Sequence, residues 1–226
     1  MSPIAVLALA CAAFLLAHFV ASTPVRGALV RGVGERAYLG LYTVAAFATI
    51  GWMSWAFRRA PYVPLWAGEE FKAWAALLMP VAFVLLACGV TARNPTAVGQ
   101  ESALRSARDP AGILRVTRHP VMWAIALWAL VHLAVRGDAA SVIFFGTFAL
   151  LALAGTALID ARKRRTLGVE WTRFADVTSN VPFAAIVRGR NRLRPGEIGW
   201  WRLGLGLALY AVVLLAHPWL FGARPY

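Results

Sequence analysis

The chain has 226 residues, 60% of them hydrophobic, and its mean hydropathy of +0.65 lies well above the range of soluble globular domains. The formal net charge is +13, from 23 Lys and Arg against 10 Asp and Glu. A nucleic-acid-binding role is excluded because the cations are dealt out among the connections between apolar runs, not gathered into one soluble block. The composition is that of an all-α, polytopic integral membrane helical bundle.

A hydrocarbon core ~30 Å thick takes ~20 helical residues, and windows of that kind predict about six transmembrane helices: 3–22, 36–57, 72–91, about 113–135, 139–160 and 200–221. The first window has no basic stretch before it and is as long as a spanning helix, so it reads as a span and not as a signal peptide. Cys11 and Cys88 fall inside spans without metal-binding spacing and read as small packing residues. The fourth window opens among Arg115, Arg118 and His119, and Pro120 marks either a kink or the first turn of the true helix. Residues 1–226 form a single transmembrane domain, with polar connections near 93–118 and 161–199 that can carry interfacial helices. In the second of these, Trp171, Phe174 and Phe183 among arginines suit a segment at headgroup level. Asn94-Pro95 and Asp109-Pro110 read as turn or helix-start signals. Asp160 followed by Arg162 reads as an interfacial ion pair, and Glu35 with Arg36 as a local pair or a helix cap.

The cations also set a topology. The connections after the first, third and fifth windows hold Arg26, Arg31 and Arg36; Arg93, Arg105, Arg108, Arg115 and Arg118; and Arg162, Lys163, Arg164 and Arg165 with Arg173 through Arg194. The opposite side holds chiefly Arg58, Arg59 and Arg136. By the positive-inside rule the richer side is cytoplasmic and both termini are periplasmic. The run 162–165 reads as a topology anchor, with contact to anionic lipid as the alternative. Membrane lipid is the expected partner, and nucleic acid is not.

The chemistry concentrates in four histidines, His18, His119, His132 and His217, each within or at the edge of an apolar window. Imidazole in such a place ligates a metal, relays a proton or hydrogen-bonds a neighbouring helix. On a continuous helix His119 and His132 would stand ~20 Å apart and ~140° around the axis, so they do not share one iron, and each needs a partner on another span. Depth alone pairs His18 with His119, and His132 with His217. His119 beside Arg118 also suits a lipid phosphate or a haem propionate. His217 before Pro218, near an interface, suits a structural bond. Trp123 and Trp128, which share a segment with two histidines, are assigned to a pocket.

Several segments together resemble the NnrU family of bacterial membrane proteins and its relative, the 15-cis-ζ-carotene isomerase. They are His18 with Ser22 and Arg26, Gly34-Glu35-Arg36-Ala37-Tyr38, Thr117-Arg118-His119-Pro120, Leu127 through His132, Gly137-Asp138, Val181 through Ile186, and Ala216-His217-Pro218. The resemblance covers most of the chain. It implies a multi-pass protein of the bacterial inner membrane and, in the isomerase branch, a haem b held by histidine whose redox state governs isomerisation. The family's axial histidines match His18 and His132, whereas depth prefers His18 with His119, so His18 is the strongest ligand and its partner stays open between His132 and His119. Arg118 and Trp128 are the accompanying cofactor-binding residues. Arg118-His119-Pro120 and Gly168-Val169-Glu170-Trp171 also resemble fragments of integral membrane methyltransferases, but the paired glutamates of that pattern are missing.

Three functions follow. The first is a haem b-binding NnrU-type protein linked to denitrification and nitric oxide metabolism, with a nitric oxide reductase system as partner. The second is a haem-dependent carotenoid cis-trans isomerase, with a carotenoid as substrate. The third is a non-enzymatic membrane assembly protein whose histidines only hydrogen-bond between helices.

Overall fold

The computed structural model describes residues 1–97, 99–105, 110–223 and 225; Arg108 and Asp109, read above as a topology charge and a turn signal, lie outside them. Among the described residues the regular structure is helical: α1 Pro3–Val20, α2 Val25–Val33, α3 Glu35–Arg59, α4 Lys72–Thr91, α5 Ile113–Val116, α6 Pro120–Arg136, α7 Ala139–Val177, α8 Ala184–Val187 and α9 Trp200–Phe221. Among the described residues, five helices are long and apolar enough to cross a membrane: α1, α3, α4 with the short turn before it, α7 and α9. The protein is therefore an all-helical membrane protein.

The fourth expected window differs from its sequence boundaries. It resolves into one turn of helix, α5, an extended Thr117 (φ −153°, ψ 143°), and then α6, a shorter apolar helix that starts on Pro120. Proline lacks the N–H that a first helical turn leaves unused, and it biases the residue before it toward extended backbone. His119 thus stands ahead of α6, and the helical offset expected between it and His132 does not apply. The fifth window also runs on, since α7 continues past Asp160 until Gly168, where φ of 53° breaks the helix. That φ lies in the left-handed region that glycine enters without steric cost.

The chain divides into two compact units, one of Met1–Phe71 with Ala129–Gly155 and one of Lys72–Trp128 with Thr156–Tyr226. In the first, Ser2 caps α1 by accepting from the Ala5 N–H, and Pro3 occupies the first helical turn. Leu7, Ala10, Cys11 and Phe14 recur at helical spacing and bury one face of α1 against Met53, Ala56 and Ala140. Burial in lipid brings little hydrophobic gain, so close steric fit carries this packing. The segment before α4 is clamped to the turn between α6 and α7: Leu65 and Trp66 donate backbone N–H groups to the Gly137 carbonyl at 2.7 and 3.1 Å. A Cβ on Gly137 would sit 2.2 Å from the Trp66 carbonyl oxygen.

In the second unit α4 packs against α9, with Gly206 so close that a Cβ would lie 2.6 Å from the Val84 Cα. Small residues permit this approach between membrane helices. A second core gathers Cys88, Ile113, Leu114, Val116, Trp171 and Phe174. Trp171 is fully buried there, whereas Phe183 is half exposed. Both cysteines are buried packing residues, as their placement in apolar windows suggests.

Candidate functional site

Two histidine environments stand out, one in each unit. In the second unit, the extended backbone ahead of Pro120 puts Arg118 and His119 beside Asp160 of α7. The His119 Nε2 lies 2.7 Å from the Asp160 Oδ1. The Arg118 Nε lies 3.0 and 3.1 Å from the two carboxylate oxygens, and its Nη2 also donates to Oδ2. A carboxylate held by a guanidinium fork is ionised and only accepts, so the His119 Nε2 carries the proton and donates. The Nδ1 then presents a lone pair; it is buried and has no hydrogen-bond partner among the described residues.

The strand-like turn that presents these groups is pinned at every step. Arg118 donates its N–H to the Ser179 carbonyl at 2.9 Å, and its own carbonyl accepts from Asn94 Nδ2 and Thr96 Oγ1. Thr117 Oγ1 donates to the Asn180 carbonyl at 2.6 Å and accepts from the His119 N–H. Trp123 Nε1 donates to that same carbonyl, and Asn180 Nδ2 donates to Thr156 Oγ1. Behind them the Arg118 guanidinium lies 5.9 Å from the ring centre of Trp171. A polar network bonded at this many points fixes one geometry, because each broken bond would strand a buried group. It offers a positioned base with a carboxylate behind it.

In the first unit, His18 sits two residues from the end of α1. Its Nδ1 lies 2.8 Å from the carbonyl oxygen of Phe14 one turn back. A carbonyl only accepts, so Nδ1 carries the proton and Nε2 holds the lone pair. The ring packs against Phe14 at 4.1 Å and Tyr42 at 5.8 Å, and Tyr42 stacks on Tyr38 at 6.3 Å. The Tyr38 hydroxyl is buried and without a hydrogen-bond partner among the described residues. Arg26 lies over the Tyr38 ring and pairs with Glu35, so Glu35 finds its partner on α2 and not in Arg36. His132 belongs to the same unit, stacked on Phe145 at 5.1 Å. Rings in contact run from His18 through Phe14, Phe148, Phe144 and Phe145 to His132.

The remaining expected residues separate. His119, Arg118 and Trp128 belong to the second unit, Trp128 half-buried on α6. His217 lies near the end of α9, and its Nδ1 donates to the Ala223 carbonyl at 2.8 Å just beyond that helix. Among the described residues no group of three or more His, Cys, Asp and Glu forms a metal cluster. A haem asks for less, one or two imidazoles with a free lone pair, and His18 and His119 both meet that condition.

Sequence reasoning missed Asp160 as the partner of His119 and Arg118, having paired it with Arg162. The signal was present in the lone carboxylate at the end of an apolar window, but its partner lies 41 residues away. Two further ion pairs organise the connections. Arg115 and Glu197 meet at 2.7 Å, and hydrogen bonding from Arg115 holds the Glu197 carboxyl down at about 2, against the upward push of desolvation. Lys163, read as part of a topology anchor, is buried and pairs inward with Glu101. Burial alone would raise the Glu101 carboxyl, but the Lys163 hydrogen bond, a backbone hydrogen bond and the charges of Lys163 and Arg162 together outweigh it and the carboxyl is lowered.

No curated protein and no solved structure matches the chain. The model of the family described as NnrU protein matches residues 6–225. That match spans nearly the whole chain, including both histidine environments and the turn before Pro120, and the chain belongs to the NnrU family.

Proposed function

We propose that this protein is a haem b-binding protein of the bacterial inner membrane, with His18 as an iron ligand, acting in nitrogen-oxide metabolism. The observation that carries the reading is the 2.8 Å bond from His18 Nδ1 to the Phe14 carbonyl. A ligating imidazole commonly donates its other N–H to a carbonyl or carboxylate, which fixes the tautomer and ring direction and raises ligand basicity. His18 has that arrangement, at the edge of aromatic side chains that exclude water. The buried Tyr38 hydroxyl supplies a donor for an acceptor oxygen such as a propionate, and Arg26 beside it supplies positive charge. His132 shares the unit and is the second candidate ligand; His119, with its Nε2 on Asp160 and a lone pair on Nδ1, is the candidate of the other unit. The haem, when bound, would supply a one-electron redox centre; the chain's residues hold it, orient it and keep water away.

The test is an absorption spectrum of the purified protein, made with ample haem supply, before and after dithionite. The reading expects a Soret band that shifts on reduction, is lost in His18→Ala and is retained in His217→Ala. A wild-type protein with no Soret band overturns it. The nitrogen-oxide role is tested in a denitrifying host, where loss of the protein is expected to lower nitric oxide consumption and His18→Ala to fail in restoring it. The arginine distribution further supports periplasmic termini, so a periplasm-dependent reporter fused to either end is expected to be active.

A further inference from the structure

The second unit contains a cavity of about 940 Å³, in the upper part of the ~300–1,000 Å³ range of small-ligand sites. Its wall is cationic. Arg93, Arg173 and Arg202 line it, and Arg93 and Arg173 are exposed and make no hydrogen bond or ion pair among the described residues. Arg202 donates only to neutral oxygens, those of Thr91 and Ile198, so its charge is not cancelled. Two carboxylates share the lining, but Glu197 is bound by Arg115, Arg194 and the Gly112 N–H. Among the described residues, three guanidinium groups therefore face Glu170 as the one carboxylate of the lining without such a commitment.

The same cavity has an apolar side, formed by Ile113, Leu114 and Phe174 of the second core. Its position supplies the third observation. Ala92 and Arg93 come within two residues after the end of α4, and Ile198 and Arg202 within two of the start of α9; both helices are long and apolar enough to cross a membrane. The depth at which spanning helices end is the depth of lipid headgroups. Arginine is suited to phosphate there because its planar fork donates two parallel hydrogen bonds to phosphate oxygens.

We propose that this cavity binds the phosphate headgroup of an anionic phospholipid, with Arg93, Arg173 and Arg202 on the phosphate and the glycerol end against Phe174. Arg118 and His119 take no part, since neither lines this cavity.

Native mass spectrometry of the full-length protein from micelles with equimolar phosphatidylglycerol and phosphatidylcholine tests this. The wild type is expected to retain the anionic lipid about thirtyfold or more over the neutral one, as two or three arginines at the headgroup level, each worth about fivefold, would give. Arg93→Gln with Arg173→Gln is expected to bring retention near parity while the thermal midpoint stays unchanged, because neither side chain has a partner to lose. Arg58→Gln with Arg59→Gln, in the other unit, is expected to keep the preference. Equal retention of both lipids by the wild type overturns the proposal, as does an unchanged preference in the Arg93 and Arg173 double variant. Displacement of the anionic lipid by millimolar inorganic phosphate would mark a receptor for soluble phosphate and overturn the lipid assignment.

Discussion

The two units hold their histidines by different physics. Around His18 the contacts are rings on rings, with a single hydrogen bond from the imidazole to its own helix and small residues fitted across α1 and α3. Around His119 there is a buried carboxylate, a guanidinium fork and a run of side chains bonded to main-chain carbonyls. The first arrangement tolerates exchange of a ligand, since little beyond van der Waals contact is lost when a ring moves. The second is committed, because each group depends on the others for its partner. A site that must admit a large planar cofactor fits the first; a site that must keep one geometry fits the second.

The largest expected effect comes from breaking the committed side. Asp160→Ala leaves the Arg118 charge and the His119 N–H buried without their acceptor, which typically costs ~3–5 kcal/mol. A lowered thermal midpoint in detergent and poor recovery from the membrane are expected, with Asp160→Glu recovering part of the loss. An Asp160→Ala protein as stable as the wild type would show that water reaches this cluster and would erase the contrast. His18→Ala is the counterpart. It removes one bond within a helix and the ring contacts of a half-buried side chain, so a loss of ~1–2 kcal/mol is expected in the haem-free protein, alongside complete loss of the Soret band.

Acid separates the units further. The Glu197 carboxyl sits at about 2 when folded, against an ordinary 4.5. The unfolded chain therefore takes up this proton first as pH falls. The stabilisation is fully present above about 4.5 and is lost as pH falls from there toward about 2. The midpoint difference between wild type and Glu197→Gln is expected to shrink across that window, and a constant difference would remove Arg115 and Glu197 as a folding contact. The first unit's exposed pair of Arg26 and Glu35 is expected to contribute ~0–1 kcal/mol, so Glu35→Gln should barely register.

How much of this was legible in the sequence depends on the range over which each feature is decided. The start of α1 at Ser2-Pro3 and the face of Leu7, Ala10, Cys11 and Phe14 are local, and so is the start of α6 at Pro120. These are decided by caps, by helical period and by proline's missing N–H. The bond of His18 to Phe14 is also local, one helical turn, and a histidine near a helix end carries that option on its face. Asp160 with His119 is different, since no pattern within either segment distinguishes a pair across 41 residues from a pair with adjacent Arg162. The burial of Trp171 was hidden for the same reason. An aromatic among arginines suits the interface and the core equally, and its burial follows from Cys88, Ile113 and Leu114, which lie far off in sequence. Gly168 was the weakest signal, because an isolated glycine in a polar helical stretch costs only ~1 kcal/mol and need not break it.

The smallest expected effect is also the one that separates structural from ligand roles most cleanly. Tyr38 buries its hydroxyl without a partner among the described residues, so the folded, haem-free protein gains nothing from that oxygen. Tyr38→Phe removes it while keeping the ring that stacks on Tyr42 and lies under Arg26. Removing an unsatisfied buried polar atom is neutral or stabilising by up to ~1 kcal/mol, whereas removing a bonded one costs ~1–3 kcal/mol. The haem-free variant is therefore expected to unfold at or slightly above the wild-type midpoint. If the hydroxyl serves an acceptor oxygen on a bound haem, the same variant releases haem faster to an apomyoglobin acceptor, and the two measurements move in opposite directions. A variant destabilised without haem would place a hidden partner on Tyr38 and turn this corner of the first unit into a second committed network.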